Sequence, residues 1–302
     1  MNRYVNVGLV HAMAYPNAAK DAGYYLKTLE DTLKDPYFGL VEIIPPLSDD
    51  MYSDVAGMVR DSGFDWVYCA TPAQYGLDLD LNSFDPKARA YAVDILRKEL
   101  ENAARLGIKK VQICSGKQID RIADRYAVRN YLAESVKEVC REAQKLGISV
   151  VLEIFDPDIE KKRFLGPSID SAYVAKEVSG AFDNFGLLQD LSHIPLMYEN
   201  PYSAVETVKD YLVHTHIGNC VMRDIKHPRY GDTHPIFGSE CSEIDVLEIK
   251  TFIESLFAVG YFAEGKKAAM SFEIKPWPNE DSLDYIKKAK ACLDKAWEML
   301  DN

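Results

Sequence analysis

No run of 18 apolar residues occurs anywhere in the 302-residue chain, so no membrane-spanning helix is expected. A lysine- or arginine-rich block is also missing. With 35 basic against 47 acidic residues the net charge is −12, which repels phosphate backbones and argues against a nucleic-acid partner. Lys161-Lys162-Arg163 reads as a short solvated run in a loop. The six cysteines include no CxxC or other ligand-spaced pair, and a chain of this length needs no disulfides to fold. Reduced thiols and a cytoplasmic location follow. Where a dinucleotide-binding fold would place a glycine-rich loop after its first strand, HAMAYP (11–16) stands instead, which tells against a doubly wound sheet. The opening MNRYVNVGLVHAMA is too short, and too interrupted by Asn6, Gly8 and His11, for a secretory leader, and reads as a first strand. Without an internal repeat, linker or low-complexity tract, one domain over 1–302 is expected.

What the chain does contain is an alternation. Short apolar, β-branched runs fall at Tyr4–His11, Leu40–Ile44, Trp66–Ala70, Lys110–Ser115, Val150–Asp156, Gly186–Asp190, Leu212–Ile217 and Met270–Lys275. Amphipathic helical patterns lie between them, clearest over Lys87–Leu106, Arg121–Leu146, Ile244–Val259 and Ser282–Leu300. Gly107, Gly147 and Gly260 supply left-handed C-caps where three of these helices close. Eight near-continuous apolar strands, each followed by a helix, predict a single (β/α)8 barrel of the α/β class.

In such a barrel the C-terminal strand ends share one mouth, where chemistry is placed. The six histidines are His11, His193, His214, His216, His227 and His234, and none lies in a predicted helix. Three carboxylates interrupt or end apolar strands: Glu153 in VVLEIF, Asp190 in GLLQD and Glu273 in MSFEIK. Charges so placed are costly to bury unless paired or bound to a cation. Glu153, Asp190, His216 and Glu273 come from successive strands and form a hard-to-borderline ligand set without thiolate. It suits Mn²⁺, Mg²⁺ or Co²⁺ better than a structural Zn²⁺ site. His214 shares the parity of His216 and reads as its support, and His193 as a substrate contact three residues beyond Asp190.

At these residues the sequence resembles the xylose-isomerase-like TIM-barrel superfamily of sugar phosphate isomerases and epimerases. The pieces that carry the likeness are LEIFD around Glu153, QDLSH with Asp190 and His193, HTHIGN with His216, and SFEIKP with Glu273. The resemblance implies a divalent metal, Mn²⁺ first, with Zn²⁺ also accepted. It implies that Glu153 and Glu273 exchange a proton with a sugar and that His193 contacts its oxygens. His11, Arg223 and His234 are expected to contact substrate as well. The sequence departs from the ketose 3-epimerase pattern after the metal histidine, where the glutamate of Gly-Glu-x-Asn-Arg is missing and Arg223 lies one place late. The long loop RYGDTHPIFGSE (229–240) resembles a branch containing the catalytic α-subunits of C-glycoside deglycosidases. That likeness implies a lyase acting on 3-oxo-C-glucosides, with a small β-subunit and a higher oligomer as partners. The alternatives are a sugar or sugar-phosphate isomerase or ketose epimerase, and a phosphodiesterase of the endonuclease IV type, against which the acidic balance argues.

Overall fold

The computed structural model describes residues 1–119 and 124–300. Eight parallel strands, β1 (Val5–Val10), β2 (Leu40–Ile43), β3 (Asp65–Cys69), β4 (Lys110–Cys114), β5 (Ser149–Ile154), β6 (Phe185–Asp190), β7 (Leu212–Ile217) and β8 (Ala268–Phe272), close into a barrel in chain order. Closure is made where β1 pairs with β8, Gly8 opposite Ser271. Each strand lies within a few residues of its sequence-based position. The largest difference is in β8, which ends at Phe272 and leaves Glu273 just beyond it.

Helices Ala22–Leu33, Met51–Asp61, Pro86–Leu106, Arg125–Lys145, Ser168–Ser179, Pro201–Val208, Val246–Ala258 and Ser282–Glu298 surround the barrel. The expected start at Arg121 lies outside the described residues. Local chemistry sets the ends: Asp85 accepts from Lys87 N at 2.9 Å with Pro86 in the first turn, and Asp281 accepts from Asp284 N at 2.9 Å. Gly107, Gly147 and Gly260 are all left-handed, with φ of 81°, 64° and 73°.

Alternation along the strands separates two interiors. Val7, Val41, Ile113, Leu152, Leu187 and Phe272 face outward and join Leu29, Leu96, Leu132, Phe252 and Leu293 of the helices in one apolar layer. The opposite parity lines the lumen. There the register sets Glu42 beside Val10 and Val67, Glu153 beside Cys114 and Leu188, and His216 beside Asp190 and Ser271. The apolar layer holds the fold together, and the lumen is free to carry polar groups. All six cysteines are unpaired, and Cys69, Cys114, Cys140 and Cys220 are buried. No helix among the described residues is long and apolar enough to cross a membrane.

Deep in the barrel the side chains of Ser271 and Leu40 fill the space over Gly8, leaving no room for one of its own. A Cβ there would lie 2.3 Å from Ser271 Oγ and 2.7 Å from Leu40 Cδ2. Gly8→Ala is therefore expected to lower stability by about 1–3 kcal/mol through overpacking, read as a shift in the urea unfolding midpoint. An unchanged midpoint would show that the lumen relaxes freely.

Candidate active site

β5 places Glu153 next to its last residue, β6 ends on Asp190, β7 places His216 next to its last residue, and Glu273 follows β8. One donor atom from each of these four side chains lies within 4.8 Å of the others. Their surroundings fix them in place. Asp190 accepts from Ser192 N (2.9 Å), Ser192 Oγ (2.7 Å) and Gly218 N (3.0 Å). Gln112 donates to Glu153 Oε2, while the buried Oε1 of Glu153 has no hydrogen-bond partner. His216 bridges Glu273 through Nδ1 (2.8 Å) and Glu42 through Nε2 (3.0 Å).

Packing three carboxylates together moves their protonation. Burial, reinforced by the charge of Glu273, pushes Glu153 up to about 8. Burial acts in the same direction on Glu273, but His234 and His216 outweigh it and hold that carboxyl at about 2. Burial raises Asp190 as well. For His216, burial favours the neutral ring, yet Glu42 and Glu273 override it and keep the ring charged well above its usual range. An orphaned carboxylate oxygen, a retained proton and four converging oxygen and nitrogen donors fit a divalent cation of the Mn²⁺, Mg²⁺, Co²⁺ or Zn²⁺ kind.

A second group flanks the first. His193 donates from Nδ1 to Ile154 O (2.6 Å) and turns Nε2 toward Asp232 Oδ2 (3.1 Å), its ring 4.7 Å from that of Phe155. His234 donates from Nδ1 to Glu273 O (3.1 Å), with Nε2 3.1 Å from Asp232 Oδ1. Asp232, well below the carboxylate range despite its burial because His234, His193 and Lys161 surround it, joins the two rings. His193 and His234 thus stand at the site, each about 4 Å from Asp190: Oδ2 is 4.0 Å from His193 Nε2 and 3.9 Å from His234 Nδ1. Gly218 allows this approach, since a Cβ there would lie 2.6 Å from His234 Nδ1 and 2.9 Å from Asp190 Oδ2. The long loop after β7 is tied at its base by Asn219. Its Nδ2 donates to Ile236 O and Ile244 O, both at 3.1 Å, and its Oδ1 accepts from Cys220 N and Ile244 N at 2.9 and 2.8 Å.

Two expected substrate contacts are not brought here. His11 follows the lumen-facing Val10 by one residue, so it points into the helix layer. Its Nε2 lies 2.9 Å from Thr28 Oγ1 and its ring packs on Tyr25, and burial lowers it to about 3. Arg223 is exposed and pairs with Glu243 at 3.4 Å. Nor is Lys161-Lys162-Arg163 a solvated run. Arg163 is buried with its guanidinium 4.1 Å from the Tyr75 ring centroid, and Lys161 reaches to 3.3 Å from Asp232. His11 and His193 each open a four-residue helix at a strand end, His11–Ala14 and His193–Leu196.

Three buried residues were missed in the sequence. Glu42 interrupts LVEII just as Glu153 interrupts its own strand, so its signal was present. Asp232, in a loop, and Gln112, a neutral residue in an alternating strand, gave none.

Glu153, Glu273 and Glu42 line a cavity of about 450 Å³ with Gln112, Tyr75, Phe155, His234 and Lys161. A second cavity of about 780 Å³ shares Met13, Pro16, Lys20, Lys161 and Lys275 with it and adds Tyr24, Trp277 and Leu283. On adding Mn²⁺ to cation-free protein at pH 7, Glu153 and the His216 imidazolium must both give up protons. Calorimetric heats are therefore expected to vary with buffer ionisation enthalpy, showing net proton release, and affinity to rise from about pH 6 to 8. Buffer-independent heats would remove these residues from cation binding.

The profile of the xylose isomerase-like TIM barrel matches residues 17–294. No curated protein sequence matches the chain. Among solved structures, D-psicose 3-epimerase from Clostridium cellulolyticum H10, with D-tagatose, is 20% identical with a TM-score of 0.70, covering 97% of this chain and 99% of its own. The IOLI protein with a bound zinc atom is 17% identical with a TM-score of 0.74, covering 97% and 99%. The 3-keto-D-glucoside 4-epimerase YcjR from E. coli is 16% identical with a TM-score of 0.65, covering 95% and 98%. At these identities the likeness to solved structures is one of fold. Together with the profile match over most of its length, the closed barrel makes the chain a member of the xylose isomerase-like TIM-barrel family.

Proposed function

We propose that the protein is a divalent-metal-dependent sugar isomerase or epimerase that removes a proton from the carbon beside a carbonyl. The observation that carries this reading is the convergence of Glu153, Asp190, His216 and Glu273 at the C-terminal strand ends of the barrel, where Glu153 and Glu273 line a cavity. A cation held by these four would polarise the carbonyl and stabilise the charge that develops when the neighbouring C–H ionises. Glu153 and Glu273 come from strands three places apart, so one carboxylate can take the proton and the other return one to the opposite face. His193 and His234 flank the ligand group with their ring nitrogens engaged by backbone carbonyls and by Asp232, so a sugar oxygen they hold would take the place of Asp232 at Nε2. The similar structures include epimerases of ketoses and of a 3-keto-glucoside, which supports a carbonyl-bearing sugar as substrate. The unpaired cysteines support a reducing, cytoplasmic setting.

The adjoining cavity with Tyr24, Trp277 and Leu283 favours a second reading, that of a C-glycoside deglycosidase. On a 3-oxo-glucoside the C2–H bond breaks, a C1–C2 double bond forms, and the aglycone leaves C1 with the bonding pair and takes up a proton. This reading brings a small second subunit as partner.

Two experiments test the proposal. In D₂O with Mn²⁺, the wild type should exchange deuterium into the carbon beside the carbonyl of a ketose or a 3-oxo-glucoside. NMR then reports an epimer or a free aglycone as product. Glu153→Gln and Glu273→Gln should each lose about 10²–10⁴-fold of this exchange with circular dichroism unchanged. Retained exchange in both variants would overturn the roles given to them. Elemental analysis should find one ion per chain, removed together with activity by a chelator. Three ions with phosphodiester cleavage would instead make the Asp190, His193 and His234 group part of a nuclease-like cluster.

A further inference from the structure

Below the four converging side chains, on the lumen side of β2, Glu42 is fully buried and plays no part in the chemistry above. One of its oxygens, Oε1, lies 2.8 Å from His214 Nε2 and 3.0 Å from His216 Nε2, while Oε2 has no partner. A carboxylate can only accept, so both imidazoles must present N–H at Nε2. In the cation-free protein Nδ1 of His216 carries hydrogen as well, toward Glu273 Oε2, and it is this nitrogen that would give up its proton and offer a lone pair to a cation. Nδ1 is the atom that faces the ligand group, 2.8 Å from Glu273 Oε2 and 3.7 Å from Glu153 Oε1. His214 repeats the contact one lumen position deeper, its ring 5.3 Å from that of His216 at 86°, and its own Nδ1 is buried without a partner.

We propose that Glu42 is a positioning residue that holds His216 in the Nε2–H tautomer, with Nδ1 turned toward the cation-binding carboxylates, and that His214 braces Glu42 from beneath. This inference rests on the reading of Glu153, Asp190, His216 and Glu273 as cation ligands. Metal-ligating histidines characteristically donate their second ring N–H to a carboxylate or carbonyl, which fixes the ring and raises its basicity. Glu42, His214 and His216 also lie within ligand distance of one another, so the ion count in the test distinguishes a positioning role from a second ion site.

The test compares Mn²⁺ binding by wild type and Glu42→Gln using calorimetry. The amide cannot accept both N–H groups with a full charge, and its NH₂ meets a second donor. Affinity is expected to fall about 10–100-fold, with circular dichroism of the cation-free protein unchanged. Unchanged affinity would overturn the proposal. So would a wild type that binds two ions and loses only one in the variant, since the cluster would then be an ion site itself. If wild type binds no divalent cation, the underlying ligand reading fails first, which is a separate outcome. Should Glu42→Gln not fold, imidazole ¹⁵N spectra of the wild type with Zn²⁺ decide the matter. They should show Nδ1 of His216 coordinated and Nε2 protonated, and the reverse assignment would overturn the proposal.

Discussion

Carboxylates repel one another, and Glu153, Asp190 and Glu273 are forced together, the first two buried and the third mostly so. Two unit charges about 5 Å apart at an effective dielectric near 20 repel by roughly 3 kcal/mol. Burial is the larger cause and this repulsion adds to it, together moving Glu153 to about 8. The structure answers with cationic imidazoles: His216 stands between Glu42 and Glu273, and His193 and His234 close on Asp232. These contacts relieve the repulsion only in part, because Glu153 still keeps its proton. A divalent cation would complete the neutralisation and turn an electrostatic liability into a binding site.

Such a site is tolerable because stability is supplied elsewhere. The apolar layer between strands and helices is continuous around the barrel, and the lumen contributes little to it. The parity of each strand therefore decides what a residue does. A side chain of one parity packs a helix, and its neighbour along the chain reaches the chemistry.

This division explains what could be read from the chain alone. The eight strands and the glycine-closed helices were legible because periodicity and left-handed caps are local. Glu153, Asp190 and Glu273 stood out because a charge at the end of an apolar run has no local explanation. Glu42 gave the same signal in a shorter run, where it passed for part of an ordinary strand. His11 was misread because ending a strand does not by itself say to which side a ring turns; one residue of parity sends it to Thr28 and Tyr25. Asp232 and Arg223 lie in a loop whose path no periodicity describes, so the chain gave no reason to bring one into the site and leave the other at the surface.

Asn219 anchors the base of that loop, its single amide gathering Cys220, Ile236 and Ile244 through four hydrogen bonds. Farther out the segment is tied to the barrel's rim, Lys275 N donating to His234 O at 2.7 Å and Arg229 to Lys275 O at 2.7 Å and to Tyr285 Oη at 3.0 Å. Asp232 and His234 ride on this segment and enter the site already set. A shift in the path of this insert would therefore be felt at the ligand group itself, because the two side chains travel with the backbone that carries them.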